Sequence, residues 1–540
     1  MTDLYERRRA EFSWSIPELF NIGTACVDAH DPRQPALLLA GADGSVQTVT
    51  FGDVALYADR LANALRGLGV GPGDRVAVVL AQRLETAVSH VAVYRLGAVA
   101  VPMSVMFGYE ALEHRFRDSG AQVIVTDAER LERVEAAAAG TGAVIVVVDG
   151  EPPSPHVGLA SLVASASGKF SPVATTAETP ALLIYTSGTT GPPKAALHAH
   201  RVLLGHQPGF QLSHDDFPQP GDRFWTVADW AWVGGLFNGL LSSWCHGRPV
   251  VAASRAGFDP EWAVRVITSF GVRNTFVPPT ALKLMRKADV RVPAGTLRTV
   301  MSGGESLGAD VLEWGRGALG VTVNEIYGQT EANYVIGNSQ AVWTVRPGSM
   351  GRAYPGHTVA VIGADGGLAA AGELGEIAVA LPDPVSFLGY WRDPEATAAK
   401  TSGGWLRTGD RGRLDEDGYF WFEGRTDDVI SSAGYRIGPD EIEQCLHRHP
   451  SVALAAVIGV PDDTRGEVVK AFLRLTDGAV PSAALEADIR AHVRTQLAPY
   501  EVPRVIEFVD EIPLTVTGKV QRSELRRRER ERGLPGETVP

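Results

Sequence analysis

Cysteine is scarce: there are three in 540 residues, Cys26, Cys245 and Cys445, with none of the paired spacing that holds zinc or builds a disulfide framework. They read as buried bystander thiols in a reducing compartment. No run of about 18 apolar residues occurs, so no membrane-spanning helix is predicted. The opening stretch MTDLYERRRAEF lacks the apolar core of a secretory leader. Positive charge is also short, with 50 Lys and Arg against 63 Asp and Glu and a net charge of −13, which disfavours nucleic acid as a partner. The one charge run, Arg522 to Arg532, mixes signs and reads as a solvated terminal helix. The expectation is a cytoplasmic protein with small-molecule partners and no membrane or nucleic-acid role.

What is present is length and alternation. A chain of 540 residues exceeds what one hydrophobic core supports, so at least two domains are expected. Apolar residues at helical spacing from Val54 to Leu68 precede a continuous apolar run at Val76–Leu80, a helix-like stretch at 84–96 and a further strand at 98–102. Val123–Val125 and Val144–Val148 repeat the short β-branched pattern, which predicts α/β architecture with parallel strands buried on both faces. Residues 151–180 read as loop. Beyond residue 345 short strands punctuated by Gly and Pro predict hairpins, and helices return after Asp428. The predicted division is 1–426 and 427–540, at the turn Arg425-Thr426-Asp427-Asp428.

Chemistry concentrates at Ile184–Lys194, IYTSGTTGPPK. Glycines let backbone N–H groups close on an anion, hydroxyls add donors and a lysine adds charge. It is not a Walker loop, because Pro193 precedes Lys194 and Ala195 follows it. The segment Thr186, Ser187, Gly188, Thr189, Thr190, Gly191 through Lys194 closely resembles the signature of the adenylate-forming superfamily, which includes acyl-CoA synthetases, luciferases and peptide-synthetase adenylation domains.

Further segments follow in that family's order. In EIYGQTE, Glu325 to Glu331, the resemblance implies that Tyr327 stacks on adenine, Gln329 and Thr330 contact the nucleotide phosphate, and Glu331 binds Mg²⁺. A magnesium ion takes one or two carboxylates beside phosphate oxygens. Gly303, Gly304 and Glu305 are implied to line the adenine and acyl sides. Asp410 in Thr408-Gly409-Asp410 is implied to hold the ribose hydroxyls, with Arg425 reaching the ribose or phosphate. Asp427 stands where the family places a hinge about which a small mobile C-terminal domain rotates. Ala433, Gly434, Tyr435 and Arg436 are implied to line the coenzyme A tunnel, with Arg465 and Arg494 as further CoA contacts, although Glu501 stands where medium-chain relatives tend to have lysine. Lys519, in PLTVTGKVQR, resembles the adenylation lysine, whose ammonium would offset transition-state charge. The implied fold is a large N-terminal domain, two parallel-type α/β layers plus a small β-barrel-like part, and a small α+β C-terminal domain.

For the acid, the wall Phe224–Phe237 places Trp230, Trp232, Gly234 and Gly235 around an alkyl or aryl tail. Gly328, where acetate-specific relatives have tryptophan, is expected to leave room for length. Gly234 stands where amino-acid activators carry an aspartate, which disfavours an α-amino acid, with Asp229 nearby. The reading is an ATP- and CoA-dependent synthetase for a medium-chain or branched fatty acid, most like the medium-chain enzymes of the superfamily. An aryl-acid ligase and a carrier-protein loader are the alternatives; a luciferase-like oxygenase and a non-catalytic nucleotide binder are disfavoured.

Overall fold

The computed structural model describes residues 4–533 apart from 41–44, 187–192, 256, 306, 426–427, 429, 433–434, 463–465, 498–500 and 516–517. It divides into two compact units. The first comprises Met1–Thr186, Pro193–Val359 and Val379–Leu406, and the second contains Ala360–Ala378 and Arg407–Pro540.

Two sheets build the first unit. One runs Gly389–Tyr390, Ala195–Ala199, Pro180–Tyr185, Val99–Pro102, Arg75–Val79, Val123–Thr126, Val144–Val147 and Val157–Gly158 in spatial order. Strands from Pro180–Tyr185 outward to Val157–Gly158 are parallel, and the Gly389 and Ala195 strands close the edge antiparallel. The β-branched runs found in sequence are buried on both faces, as parallel pairing with helical crossovers requires. Helix Phe51–Gly67 leads from the strand Val46–Thr50 of the other sheet into Arg75–Val79. Its start is fixed by a reciprocal cap, in which the Thr50 hydroxyl accepts from Asp53 N–H and the Asp53 carboxylate accepts from Thr50 N–H. Its Val54, Ala58, Leu61 and Leu65 face the core.

The second sheet of this unit orders Ser349–Ala353, Ala332–Gly337, Val323–Gln329, Thr299–Gly303, Asn274–Phe276, Phe224–Thr226, Val250–Ala252, Pro35–Ala40 and Val46–Thr50. Its middle is parallel and both ends turn antiparallel. The helix Leu159–Ala164 corrects the loop read for 151–180; six residues are too short for a period to register.

The second unit carries the antiparallel pair Trp405–Leu414 and Phe420–Arg425. It also holds a sheet of Tyr435–Ile437, Ile430–Ser432, Gly466–Leu475 and Val452–Asp462, with Val505–Phe508 parallel to the Gly466 strand. Helices Pro439–His447 and Ala483–Gln496 cover one core of this sheet through Ile442, Leu446, Ile489 and Val493. Among the described residues no helix is long and apolar enough to cross a membrane.

Candidate active site

The Pro180–Tyr185 and Ala195–Ala199 strands form a hairpin, and its connection is the glycine- and hydroxyl-rich loop. The two ends of that loop are tied: Thr186 N–H donates to the Lys194 carbonyl at 2.8 Å, and the Thr186 hydroxyl reaches the same oxygen at 3.2 Å. Tyr185 anchors the exit by donating to Asp118 at 2.7 Å. Ser187, Gly188, Thr189, Thr190 and Gly191 lie outside the described residues. The Lys194 ammonium stands 3.1 Å from the Asp393 carboxylate and 5.5 Å from the centre of the Tyr390 ring. Asp393 in turn is held below the usual carboxylate range by the Ala396 N–H and by Lys194.

Tyr390 joins this corner to the second motif. Its hydroxyl donates to Glu331 Oε1, and Glu331 is 7% exposed with its carbonyl accepting from Phe387 N–H. Lys194, Asp393, Tyr390 and Glu331 therefore form one continuous polar cluster within the first unit, predicted in part (Lys194, Glu331) and in part missed. Asp393 and Tyr390 sit some 60 residues further along the chain, in LGYWRDPEA, and carry no motif signature beyond the aromatic-acidic pattern. A groove of about 520 Å³ opens beside them, lined by Leu388, Tyr390, Trp391, Asp393 and Thr397 among others.

The rest of EIYGQTE lies on the Val323–Gln329 strand and the turn after it. Tyr327 and Thr330 are half-buried, and Gln329 Oε1 accepts from the Lys400 ammonium at 3.1 Å. Glu325, expected among the nucleotide contacts, instead turns inward. Its carboxyl accepts from Leu307 N–H at 3.3 Å, and burial pushes its pKa up to about 8, so it is a neutral acid at pH 7. Gly303 is required by sheet packing, since a Cβ there would stand 2.5 Å from the Ile326 carbonyl oxygen. Gly304 has φ +101°, in the region that favours glycine. Glu305 lies within reach of the Thr280 hydroxyl at 3.3 Å and Lys283 at 4.0 Å.

The space expected beside Gly328 is not where a side chain would point. A Cβ there would meet Tyr334 N at 2.5 Å and Asn333 Cα at 2.7 Å, so the neighbouring strand occupies it. This corrects the expectation that a missing side chain at 328 opens the acyl pocket. Gly234 and Gly235 likewise serve close packing: a Cβ would stand 2.6 Å from the Phe276 ring at 234 and 2.2 Å from the Asp229 carbonyl oxygen at 235. Trp230 is fully buried, and among the described residues its indole N–H has no partner. Trp232 is half-buried and meets Phe107 edge-on at 5.8 Å. Asp229 accepts from Ser104 at 2.9 Å and Ala231 N–H at 3.0 Å, which occupies it in shaping the turn rather than in meeting a substrate ammonium.

In the second unit Asp410 and Arg425 face each other across paired strands, with Nη1 to Oδ1 at 3.2 Å and Asp410 5% exposed. Lys519 is exposed on a tight turn in which Lys519 N–H donates to Thr515 Oγ1 and Gly518 takes φ +88°. Arg494 is exposed in the last turn of Ala483–Gln496. Tyr435 and Arg436 belong to the strand Tyr435–Ile437. Asp427, Ala433, Gly434 and Arg465 lie outside the described residues.

Comparison with known proteins gives the family and the fold. The family described as AMP-binding enzyme matches residues 26–391, and the AMP-binding enzyme C-terminal domain matches residues 441–519. The human mitochondrial acyl-coenzyme A synthetase ACSM5 is 34% identical over 534 residues, covering 95% of this chain and 91% of that protein. The crystal structure of a Brucella canis acyl-CoA synthetase superimposes with a TM-score of 0.76 at 32% identity, covering 98% of this chain and 99% of that one. The anthranilate CoA ligase AuaEII, solved with anthranoyl-AMP, reaches a TM-score of 0.86 at 29% identity, covering 96% and 98%.

Proposed function

The chain belongs to the AMP-binding enzyme family, as an AMP-forming acid–CoA ligase of the acyl-CoA synthetase branch, and from that premise we propose that it activates a medium-chain or branched carboxylic acid. The acid's carboxylate attacks the α-phosphorus of ATP, pyrophosphate leaves, and the thiol of coenzyme A displaces AMP from the acyl-adenylate.

The observation that supports this most is the corner where the loop ends are pinned. The Thr186–Lys194 hydrogen bonds close the mouth of the loop, and the Lys194 ammonium stands beside Asp393 and the ring of Tyr390, whose hydroxyl bonds Glu331. Such a loop presents donors and positive charge to triphosphate oxygens. Glu331 fits Mg²⁺, a hard cation that takes one or two carboxylates and completes its shell with phosphate oxygen and water. Tyr390 engages Oε1, and no described residue hydrogen-bonds Oε2. Bound there, the ion would supply charge neutralisation on the departing pyrophosphate.

Lys519 as the adenylation lysine, Asp410 and Arg425 as ribose contacts, and residues 433–436, 465 and 494 toward CoA rest on motif order. So does a functional boundary at 426/427 with Asp427 as hinge. An aryl acid is the second reading, favoured by the edge-on Trp232–Phe107 pair beside the wall and by the likeness to AuaEII. The test is product analysis with ATP, CoA and a panel of straight, branched and aromatic acids. Acyl-CoA, AMP and pyrophosphate in equal amounts support the proposal. Acyl transfer to a phosphopantetheine carrier protein but not to free CoA would reassign the acceptor, and ADP as product would refute the mechanism.

A further inference from the structure

Beside the acid wall lies a buried polar group that the reaction does not require. Leu236–Leu241 is a π-helical turn, a widened geometry that recurs at functional sites. It carries Asn238, 2% exposed, directly after the wall segment. His206, fully buried on helix Val202–Ser213, stacks on Phe237 with centroids 4.9 Å apart. Its Nδ1 is 2.6 Å from the Val202 carbonyl, so that nitrogen carries the proton and donates, and Nε2 is left as an acceptor. Asn333 Nδ2 donates to it at 2.8 Å. The other hydrogen of the same amide donates to Asn238 Oδ1 at 2.6 Å. Burial pushes the His206 pKa down to about 4, so this arrangement persists through neutral pH.

The chain of bonds fixes both amide orientations and leaves two complementary groups over. The Asn238 NH₂ is a donor and the Asn333 carbonyl an acceptor, and neither bonds to a described residue. Trp230, eight residues before Asn238, has an enclosed indole N–H with no partner among the described residues. Buried polar groups are nearly always paired, and each exception calls for an explanation such as a ligand. A purely hydrocarbon tail would leave the Asn238 NH₂ and the Asn333 carbonyl without a partner.

We propose that Asn238 and Asn333, oriented by His206, form a hydrogen-bonding subsite for a hydroxyl group on the tail of the acid, so that the preferred substrate is a hydroxylated medium-length or aryl acid rather than a plain hydrocarbon one. A hydroxyl both accepts from the Asn238 NH₂ and donates to the Asn333 carbonyl, which neither a methyl nor a ketone does. The proposal rests on the acid-activating reading above and narrows it. Asn238 and Asn333 are specificity residues here, and His206 is a positioning residue that acts through them.

The experiment compares kcat/KM for size-matched pairs: octanoates hydroxylated at successive positions against their methyl-branched counterparts, and 4-hydroxybenzoate against 4-methylbenzoate. At least one hydroxylated acid is expected to exceed its methyl match by about tenfold or more, because a site built to bond a hydroxyl rejects the analogue that lacks it. Asn238→Leu and His206→Leu should bring that ratio to about one. His206→Gln, which keeps a donor toward Val202 and an acceptor toward Asn333, should retain most of it. No hydroxylated acid favoured by the wild-type enzyme overturns the proposal without need of any variant, and so does a preference that survives Asn238→Leu. A wild-type protein that turns over no acid at all overturns the functional reading and this proposal together.

Discussion

The Arg522 guanidinium is the most heavily engaged cation of the second unit, and its removal gives a quantitative test of how that unit is held. Nε and Nη2 bond to the two Glu443 oxygens at 3.1 and 2.7 Å, Nη1 bonds to Asp428 at 3.1 Å, and Nη2 also reaches Asp440. Arg526 adds a bond to Asp428 at 2.5 Å. Burial works against the charge on Arg522, yet Glu443, Asp440 and Asp428 keep it firmly protonated. Glu443, whose pKa burial pushes up to about 7, also accepts from Val457 N–H at 2.8 Å. Arg522→Met leaves Glu443 and Asp440 without this cation and Asp428 with Arg526 alone. Breaking a buried pair by removing one partner costs about 3–5 kcal/mol.

In this unit the cost should appear as easier opening of helix Pro439–His447 against strand Val452–Asp462. At 1.4 kcal/mol per decade, amide hydrogen exchange there should accelerate about 140- to 3,700-fold. The penalty should be smaller at pH 6, where Glu443 takes up a proton and sheds its charge, than at pH 8. Exchange monitored by mass spectrometry in the intact chain reads this segment by segment. Protection of Val452–Asp462 unchanged within threefold at pH 8 would refute the reasoning.

Glu325 sets a second, opposite use of burial. Its folded pKa of about 8 lies above the unfolded 4.5, so between those values the unfolded chain loses a proton that the folded chain keeps. Folding stability is therefore whole below pH 4.5 and declines by about 1.4 kcal/mol per unit as pH rises toward 8. Glu325→Gln should flatten that part of the apparent Tm against pH curve, and an unchanged slope would contradict the burial argument. Lys519→Ala is expected to lower adenylate formation by at least two orders of magnitude, about 2.7 kcal/mol of barrier, while thioester formation from supplied acyl-adenylate survives; equal loss in both half-reactions would remove the lysine from its role. Gly235→Ala places a Cβ 2.2 Å from the Asp229 carbonyl oxygen, so the wall must shift, with a loss of about 1–3 kcal/mol and a raised KM for the acid; a variant as stable and as tight-binding as the wild type would show that the backbone there yields freely.

Much of the fold was legible because its signals are local. Val76–Leu80, Val123–Val125 and Val144–Val148 are β-branched runs that only doubly buried strands need, and they pair in parallel. The motif residues Lys194 and Glu331 were legible because glycine, hydroxyl and charge are packed into a few positions. Their partners Tyr390 and Asp393 were not, since a tyrosine and an aspartate far along the chain become site residues only when the Gly389–Tyr390 strand pairs with Ala195–Ala199. Glycine was the residue type most easily misread. At 328 the absent side chain suggested room for a substrate, whereas the backbone of the neighbouring strand takes that room. Nothing in the sequence alone marks His206, Asn238 and Asn333 as a group, because they come together from three separate elements.

The most direct test of acid activation at phosphorus is exchange of labelled pyrophosphate into ATP, measured with and without a carboxylic acid, with magnesium in excess and CoA absent. The account predicts label in ATP only when an acid that the enzyme accepts is present, with exchange lost in Lys194→Ala and Glu331→Ala. Exchange that proceeds without acid, or that fails with every acid of the panel, would contradict it.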